Sequence, residues 1–572
     1  MKITRRQFAK VTAAVAAAAI PLGAHEGEAS EVSRSPGRQW NMPSSYLDIL
    51  RLPDLLIAYC GLKTRIPLAR SGDRWNCQDI CVQSEISSGT MPAEISIHVS
   101  SPQSSLTHLH LRWNFNVASG LRILGDAWER SYGDLEWRGF VPERPMPWYF
   151  LTFDGDQLHG YGVRTGANSL CFWQIDPRGI SLWMDLRNGG NPVELGLRKL
   201  HAATVVTREG HRGEAPIEAS REFCRTMCSQ PCLPNGPLYG SNDWNYAYGR
   251  NTVDGILREA DLIASLAPPG GHRPFVVIDD GWQDKHRFPN MASLASAIRD
   301  RQLRPGIWIR PTRAAETAKP SLLLSRARFT ERCAGRVLTY DPTIPEALEA
   351  ILDSVRQPVS WGYEFLKHDF STYELLGQWG SEMGPCPTRE GWNFADRSRT
   401  NAEIIRFFYQ ALRQASGNNV TILGCNTMGH LCAGIFESQR SGDDTSGNTW
   451  ERTRRMGINS LAFRNPQHRT FFHLDPDCVA ITKQINWNDT RQWLDLVSRS
   501  GASLFVSLQP EAVGPEQKAA VREAFQRVAA SSGFAKDWLE DTTPRHWCFR
   551  STESCIQNYQ WWSSEGAPAF KI

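Results

Sequence analysis

The stretch Tyr363-Glu364-Phe365-Leu366-Lys367-His368-Asp369-Phe370 places a cation and a carboxylate two positions apart at the end of an apolar run. Such a run reads as a buried parallel strand, and its period of two points Lys367 and Asp369 to the same side. A carboxylate beside an ammonium stays ionised at neutral pH, as a nucleophile must. A second carboxylate cluster ends Phe275-Val276-Val277-Ile278-Asp279-Asp280-Gly281-Trp282, and a third lies in Arg440-Ser441-Gly442-Asp443-Asp444. Two opposed carboxyl groups are what cleavage of a glycosidic bond needs, one attacking the anomeric carbon and the other protonating the departing oxygen. Asp279 and Asp280 offer bidentate acceptors for sugar hydroxyls, and Trp282 offers an aromatic wall. Any one of these aspartates could instead cap a helix or shape a turn. Their recurrence at three strand ends, with Lys367 in phase with one, favours a site.

Those three clusters converge only if the chain carries them on one barrel. From Pro237 onward, short apolar strands alternate with helical patterns. The strands are expected at 237–241, 275–279, 305–309, 365–369, 420–424, 435–439, 470–474 and 503–507, and helices at 253–266, 291–301, 345–356, 401–414 and 490–499. Eight β/α units predict an α/β fold built on a (β/α)8 TIM barrel over 237–513, whose strand C-termini form the catalytic face. The interval between strands five and six has room for only a short helix. Before the barrel, residues 38–208 read as an all-β sandwich of β-branched and aromatic runs punctuated by Asp154-Gly155-Asp156 and Asn188-Gly189-Gly190-Asn191. A linker helix is expected within 209–236. Residues 514–572 form a short C-terminal tail, with a helix at 515–530 and strand-like pieces at 546–549 and 559–562. Trp244, Trp282, Trp308 and Trp361 are the tryptophans that barrel loops or strand ends could bring near a ligand.

The first 24 residues carry Arg5-Arg6 ahead of Phe8, then an apolar run from Val11 to Ile20 and small residues before Ala24. The run is too short to span a bilayer, and the pattern predicts a twin-arginine signal peptide over 1–24, hence export to the periplasm or beyond. Its removal takes away Lys2, Arg5, Arg6 and Lys10 and no acid, moving the balance from 63 cations against 60 acids to 59 against 60. A nearly neutral mature protein argues against nucleic acid or anionic lipid as partner, and no later segment is long and apolar enough to span a membrane. The 14 cysteines are scattered, and most are expected to be buried free thiols. Cys224, Cys228 and Cys232 at four-residue spacing could ligate a metal, but the same spacing on a helix is one packing face, which is favoured.

With these motifs in place, the sequence resembles the clan of retaining α-galactosidases, the melibiase-like glycoside hydrolases of families 27 and 36, and most of all family 36 with its raffinose-synthase-like branch. The resemblance runs through Ser241-Asn242-Asp243-Trp244-Asn245, Ile278-Asp279-Asp280-Gly281-Trp282, Pro305-Gly306-Ile307-Trp308, Leu366-Lys367-His368-Asp369, Gly424-Cys425-Asn426, Arg440 to Asp444 and Leu474-Asp475-Pro476-Asp477. Gly125-Asp126-Ala127-Trp128-Glu129-Arg130 extends it into the β-rich part. It implies Asp369 as nucleophile and Lys367 as a neighbour that binds sugar hydroxyls. It implies Asp443 as acid/base by the family 36 pattern, or Asp444 by family 27 spacing from the arginine. Asp279 and Asp280 are implied as acceptors for the O4 and O6 region, Cys425 and Asn426 as contacts near O2, and Arg440 as a further sugar contact. The substrate implied is a terminal α-galactoside in an oligosaccharide or glycoside, cleaved by double displacement without metal or cofactor. An α-N-acetylgalactosaminidase, another α-glycosidase or a transglycosylase of the clan remains an alternative. So does a non-catalytic carbohydrate-binding protein.

Overall fold

The computed structural model describes residues 45–61, 64–87, 93–330, 337–528, 531–550 and 555–566. The expected signal peptide, residues 1–24, and the start of the predicted sandwich lie outside them. Residues from Ser45 to Ile572 form one compact unit. Strands from Leu55 to Arg208 make two antiparallel sheets of six and eight strands. Alternation drives their packing: along Glu94–Ser101, Ile95, Ile97 and Val99 are fully buried while their neighbours are only partly so. The long strand Gly196–Arg208 lies in the middle of the eight-stranded sheet and pairs with Glu94–Ser101.

Strands Tyr149–Phe153 and Leu158–Val163 are buried along their whole length. The helix Pro216–Met227 covers them, begun by proline in its first turn and aligned by Ile217, Ser220, Phe223, Cys224 and Met227 on one face. Phe223 lies directly on Gly160, where an added Cβ would come 2.3 Å from its ring. Cys224 and Cys228 are buried on this face, as the packing alternative anticipated. The 13 described cysteines are free thiols, as expected, but only six are fully buried.

All eight barrel strands are present and parallel: Tyr239–Asn242, Phe275–Ile278, Arg304–Ile309, Phe365–His368, Thr421–Gly424, Ser438–Arg440, His473–Asp475 and Leu504–Leu508. Strand seven comes in two pieces. His473–Asp475 pairs with strand six and Val479–Ile481 pairs with strand eight, with Pro476 between them. Ser503 N donates to Leu474 O at 2.9 Å, so the broken strand closes the ring. Helices Val253–Leu266, Met291–Asp300, Pro345–Ser360, Asn401–Ser416 and Trp487–Ser500 fill the expected gaps. Thr252, Asn290 and Thr400 cap three of them through their side chains, Thr400 in a capping box with Glu403. Between strands five and six stands a single turn, Gly429–Cys432. The sandwich completes the wall there: Gly166 N donates to His430 O at 3.0 Å, and the His430 ring stacks on Trp148 at 4.7 Å.

The tail packs onto the barrel as a helix, Pro515–Arg527, and a three-stranded antiparallel sheet. Its last strand is Cys555–Asn558 rather than the expected 559–562. Tyr559 and Trp561 are instead buried anchors, and burial of large rings accounts for an aromatic run that mimics a strand. Among the described residues no helix is long and apolar enough to cross a membrane.

Gly240 sets the register of strands one and two. Its φ is +149°, and a Cβ there would come 1.9 Å from Phe275 O. Gly240→Ala is expected to lower stability by about 2–4 kcal/mol, read as a drop in Tm. An unchanged melting curve would contradict this register.

Candidate active site

Inside the barrel, Leu238, Phe275, Val277, Phe365, Leu423, Cys478 and Phe505 form an apolar floor. Period two then carries the inward face from apolar to charged: Val277 gives way to Asp279, Phe365 to Lys367 and Asp369, and Leu423 to Cys425. Between the two layers lies a cavity of about 10 Å³ lined by Asn242, Lys367, Arg440 and Asp475, room for about one water.

The Lys367 ammonium does not serve Asp369 as its sequence phase implied. It is buried and pairs with Asp279 Oδ2 at 2.7 Å. The physical reason is that Asp279 stands on the inward face at the end of strand two, with strand three between the two residues, and among the described residues Lys367 is its one ion-pair partner. Burial opposes the Lys367 charge, but Asp279 and then Cys425 hold its pKa well above the ordinary lysine value. Asn242 Nδ2 and Asp280 N also donate to Asp279, at 2.8 and 2.9 Å. Three protein donors thus hold Asp279, two on Oδ2 and one on Oδ1. Asp280 beside it is only partly buried, and burial together with the Asp279 charge raises its pKa.

Asp369 ends strand four, partly exposed. Trp308 Nε1 donates to Oδ2 at 3.1 Å and Phe370 N donates to Oδ1 at 2.8 Å. Phe370 has φ of 66°, an uncommon conformation for a bulky residue and one that collects at functional sites. Around this turn lie Arg310 over the Phe370 ring at 4.2 Å and Trp379 against Tyr373 and Phe370 at 4.8 and 6.0 Å.

Asp443 and Asp444 follow strand six and are likewise partly exposed. Asp443 is gripped on both oxygens: Arg130 meets Oδ1 at 2.8 Å and Arg452 meets Oδ2 at 2.5 Å. The contacts of Asp444 are longer, to Arg440 at 3.4 Å and Arg130 at 3.6 Å, both at Oδ1. Arg440 is buried and is shared with Asp475 and Asp477 at 2.9 Å each. Burial opposes its charge, but Asp477, Cys425 and Asp475 keep its pKa well above the usual value.

Cys425 joins the two halves. Its thiol is fully buried, Arg130 Nη1 donates to Sγ at 3.7 Å, and burial raises its pKa against the pull of Arg440, while Asp369 adds to the rise. Asp369 thus acts on the same buried thiol that Arg130, itself paired with Asp443 and Asp444, touches. Asn426 departs from the role expected of it. Its Nδ2 donates to Glu129 and its Oδ1 accepts from Tyr373 N, so its amide is spent on the protein. Glu129 also accepts from Tyr132 and from Gly380 N, and burial pushes its pKa up to about 7. Trp282 donates to Trp308 O at 2.8 Å and packs edge-on against Trp361, one step removed from Asp369. Trp244 packs against Tyr248, whose hydroxyl faces Asp477 and Asp444. Among the described residues no group of three or more His, Cys, Asp or Glu is arranged to hold a metal.

Sequence reasoning missed Arg130, Glu129, Trp379 and Arg452 as parts of this site. The signal for the first two was present in Trp128-Glu129-Arg130, but nothing local says that a sandwich loop reaches a barrel mouth. One consequence is measurable. Lys367→Met leaves Asp279 buried and unpaired, and should cost about 3–5 kcal/mol. The double variant Lys367→Met/Asp279→Asn should lose less than the sum of the two singles in a denaturation cycle, and strict additivity would refute the pairing.

No protein-family model matches the sequence, and no curated protein matches it. Solved structures do match in fold. An α-galactosidase from Thermus thermophilus, in complex with p-nitrophenyl α-D-galactopyranoside, aligns with a TM-score of 0.57 at 19% identity, over 84% of this chain and 97% of its own. A GH36 α-galactosidase from Geobacillus stearothermophilus in complex with 1-deoxygalactonojirimycin aligns at 0.56 and 12% identity, over 84% of this chain and 72% of its own. An α-galactosidase from Lactobacillus brevis gives 0.53 and 11%, over 87% and 74%. The sandwich, the barrel and their order along the chain are therefore the fold of the GH36 α-galactosidases.

Proposed function

We propose that this chain is an exported glycoside hydrolase that removes terminal α-galactosyl groups with retention of configuration. The observation that carries the reading is that Asp369 and the Asp443–Asp444 pair all follow parallel barrel strands at their C-terminal ends, with Asp369 acting on the same Cys425 thiol that Arg130, paired with both Asp443 and Asp444, touches. The likeness in fold to α-galactosidases solved with p-nitrophenyl α-D-galactopyranoside and stachyose supports the substrate class.

Asp369 is the nucleophile. Its two oxygens are aimed by the Trp308 indole and the Phe370 amide, which fix the carboxylate without neutralising it. Attack on the anomeric carbon forms an ester to the sugar and expels the leaving group. The proton donor is a member of the Asp443–Asp444 pair. Both oxygens of Asp443 are bound by guanidinium groups, and Asp444 meets Arg440 and Arg130 through Oδ1. The donor gives its proton to the departing oxygen and then takes one from the water that hydrolyses the ester, a cycle that calls for carboxyl groups about 5–5.5 Å apart. Asp280 is the acceptor for a sugar hydroxyl, and Asp279 beside it holds Lys367 in place.

Asp369→Ala should abolish turnover of an aryl α-galactoside, and added azide should then yield β-galactosyl azide. Of Asp443→Asn and Asp444→Asn, the variant that removes the donor should lose far more activity toward a poor leaving group than toward an activated aryl one, by about 10²-fold or more, and wild-type behaviour of both would rule out the pair as donor. Wild-type turnover in Asp369→Ala would end the assignment, and a panel of aryl α-glycosides tests the sugar. Export rests on Arg5-Arg6 and the apolar run after them. Replacing both with lysine should leave the protein in the cytoplasm, and undiminished export would refute it.

A further inference from the structure

We propose that Arg130, carried by the β-sandwich, is the positioning residue that fixes the Asp443–Asp444 pair for proton transfer, so that the sandwich supplies part of the catalytic apparatus. This deepens the reading above and rests on it.

The segment from Asp126 to Tyr132 leaves the sandwich and threads the barrel mouth. Asp126 pairs with Arg464 at 2.8 Å, Trp128 Nε1 donates to Gly384 O at 2.8 Å, and Glu129 accepts from Gly380 N at 3.0 Å. Ser131 then joins barrel strand six as a one-residue parallel bridge to Gly442. Its N donates to Ser441 O at 3.0 Å, and Asp443 N donates back to Ser131 O at 2.9 Å. The backbone of the candidate acid loop is therefore held by a segment about three hundred residues away in sequence. Arg130, between these anchors, reaches Asp443, Asp444 and Cys425 with its two terminal nitrogens. Its Nε is buried with no partner, and an unpaired buried donor costs stability.

Arg130 is one of several charges facing the pair. Arg452, Glu129 and Tyr132 also face Asp443, while Arg440 and Tyr248 face Asp444. Arg130 is the one that reaches both carboxyl groups and the Cys425 thiol. Its fork holds the two aspartates at a fixed spacing, and although burial opposes its charge, Asp443 and then Asp444 keep its own pKa well above the ordinary arginine value.

The experiment measures kcat and KM from acid to alkaline pH for wild type, Arg130→Met and Arg130→Lys, each with an activated aryl α-galactoside and with one bearing a poor leaving group. Arg130→Met should lose about 10²-fold in kcat on the poor leaving group and much less on the activated one. KM should move little, and the basic limb of its profile should shift upward by about one pH unit. Arg130→Lys keeps the charge but not the fork, so its basic limb should stay near wild type while the leaving-group-selective loss persists. Equal losses on both substrates with an unmoved limb, or a fall in Tm alone, would overturn the proposal. If Arg130→Met does not fold, wild-type behaviour of Arg130→Lys overturns it just as well. A wild-type protein that turns over no α-galactoside brings down the proposed function and this inference together. A wild type that turns over with unaffected variants brings down this inference only.

Discussion

Charge matching at the barrel mouth is the constraint on which the site depends. Asp279, Asp280, Asp369, Asp443, Asp444, Asp475 and Asp477 crowd one end of a closed ring, where carboxylates left unmatched would repel each other through a medium that screens poorly. Lys367, Arg130, Arg440 and Arg452 meet most of them; the first three are buried, while Arg452 reaches Asp443 from a partly exposed position. Arg440 alone touches three aspartates. A buried pair of this kind adds little net stability but is costly to break, so the network acts mainly to fix positions. Asp369 stands apart: an indole and a backbone amide hold it in place of a cation. A nucleophile so held keeps its electrons for the substrate.

The barrel was legible in the sequence because most strands are short apolar runs and the helices between them carry their own period, several with a side-chain cap. Strands two and four were found to within a residue, since Phe275–Ile278 and Phe365–His368 are bounded by carboxylates. Period two correctly put Lys367 and Asp369 on one side. It could not say which carboxylate the ammonium would choose, because Asp279 lies on another strand and the choice is made by the ring. Strand seven was expected as one run over 470–474 and is in fact broken around Pro476, a residue that cannot donate to a ladder. The pair Tyr559 and Trp561 looked like a strand because buried aromatic residues mark strands and packed loops alike.

What stayed hidden was everything that depends on the sandwich. Its alternating strands could be read, but its use could not: Glu129 and Arg130 are separated from Asn426 and Asp443 by about three hundred residues, and no local period links them. Asn426 was expected to face a sugar and is instead spent on Glu129, which shows how a distant carboxylate can claim a polar side chain that local pattern offers to a ligand.

The single turn Gly429–Cys432 has a consequence for how the molecule is made. Where other barrels carry a full helix, this one leans on residues 148–166 of the sandwich, through His430 on Trp148 and the bond from Gly166 to the His430 carbonyl. The wall at strands five and six therefore has no finished outer layer until the sandwich is folded against it. A ribosome delivers the sandwich first, so the later half of the chain emerges onto a ready template, and the order of synthesis matches the order that assembly requires.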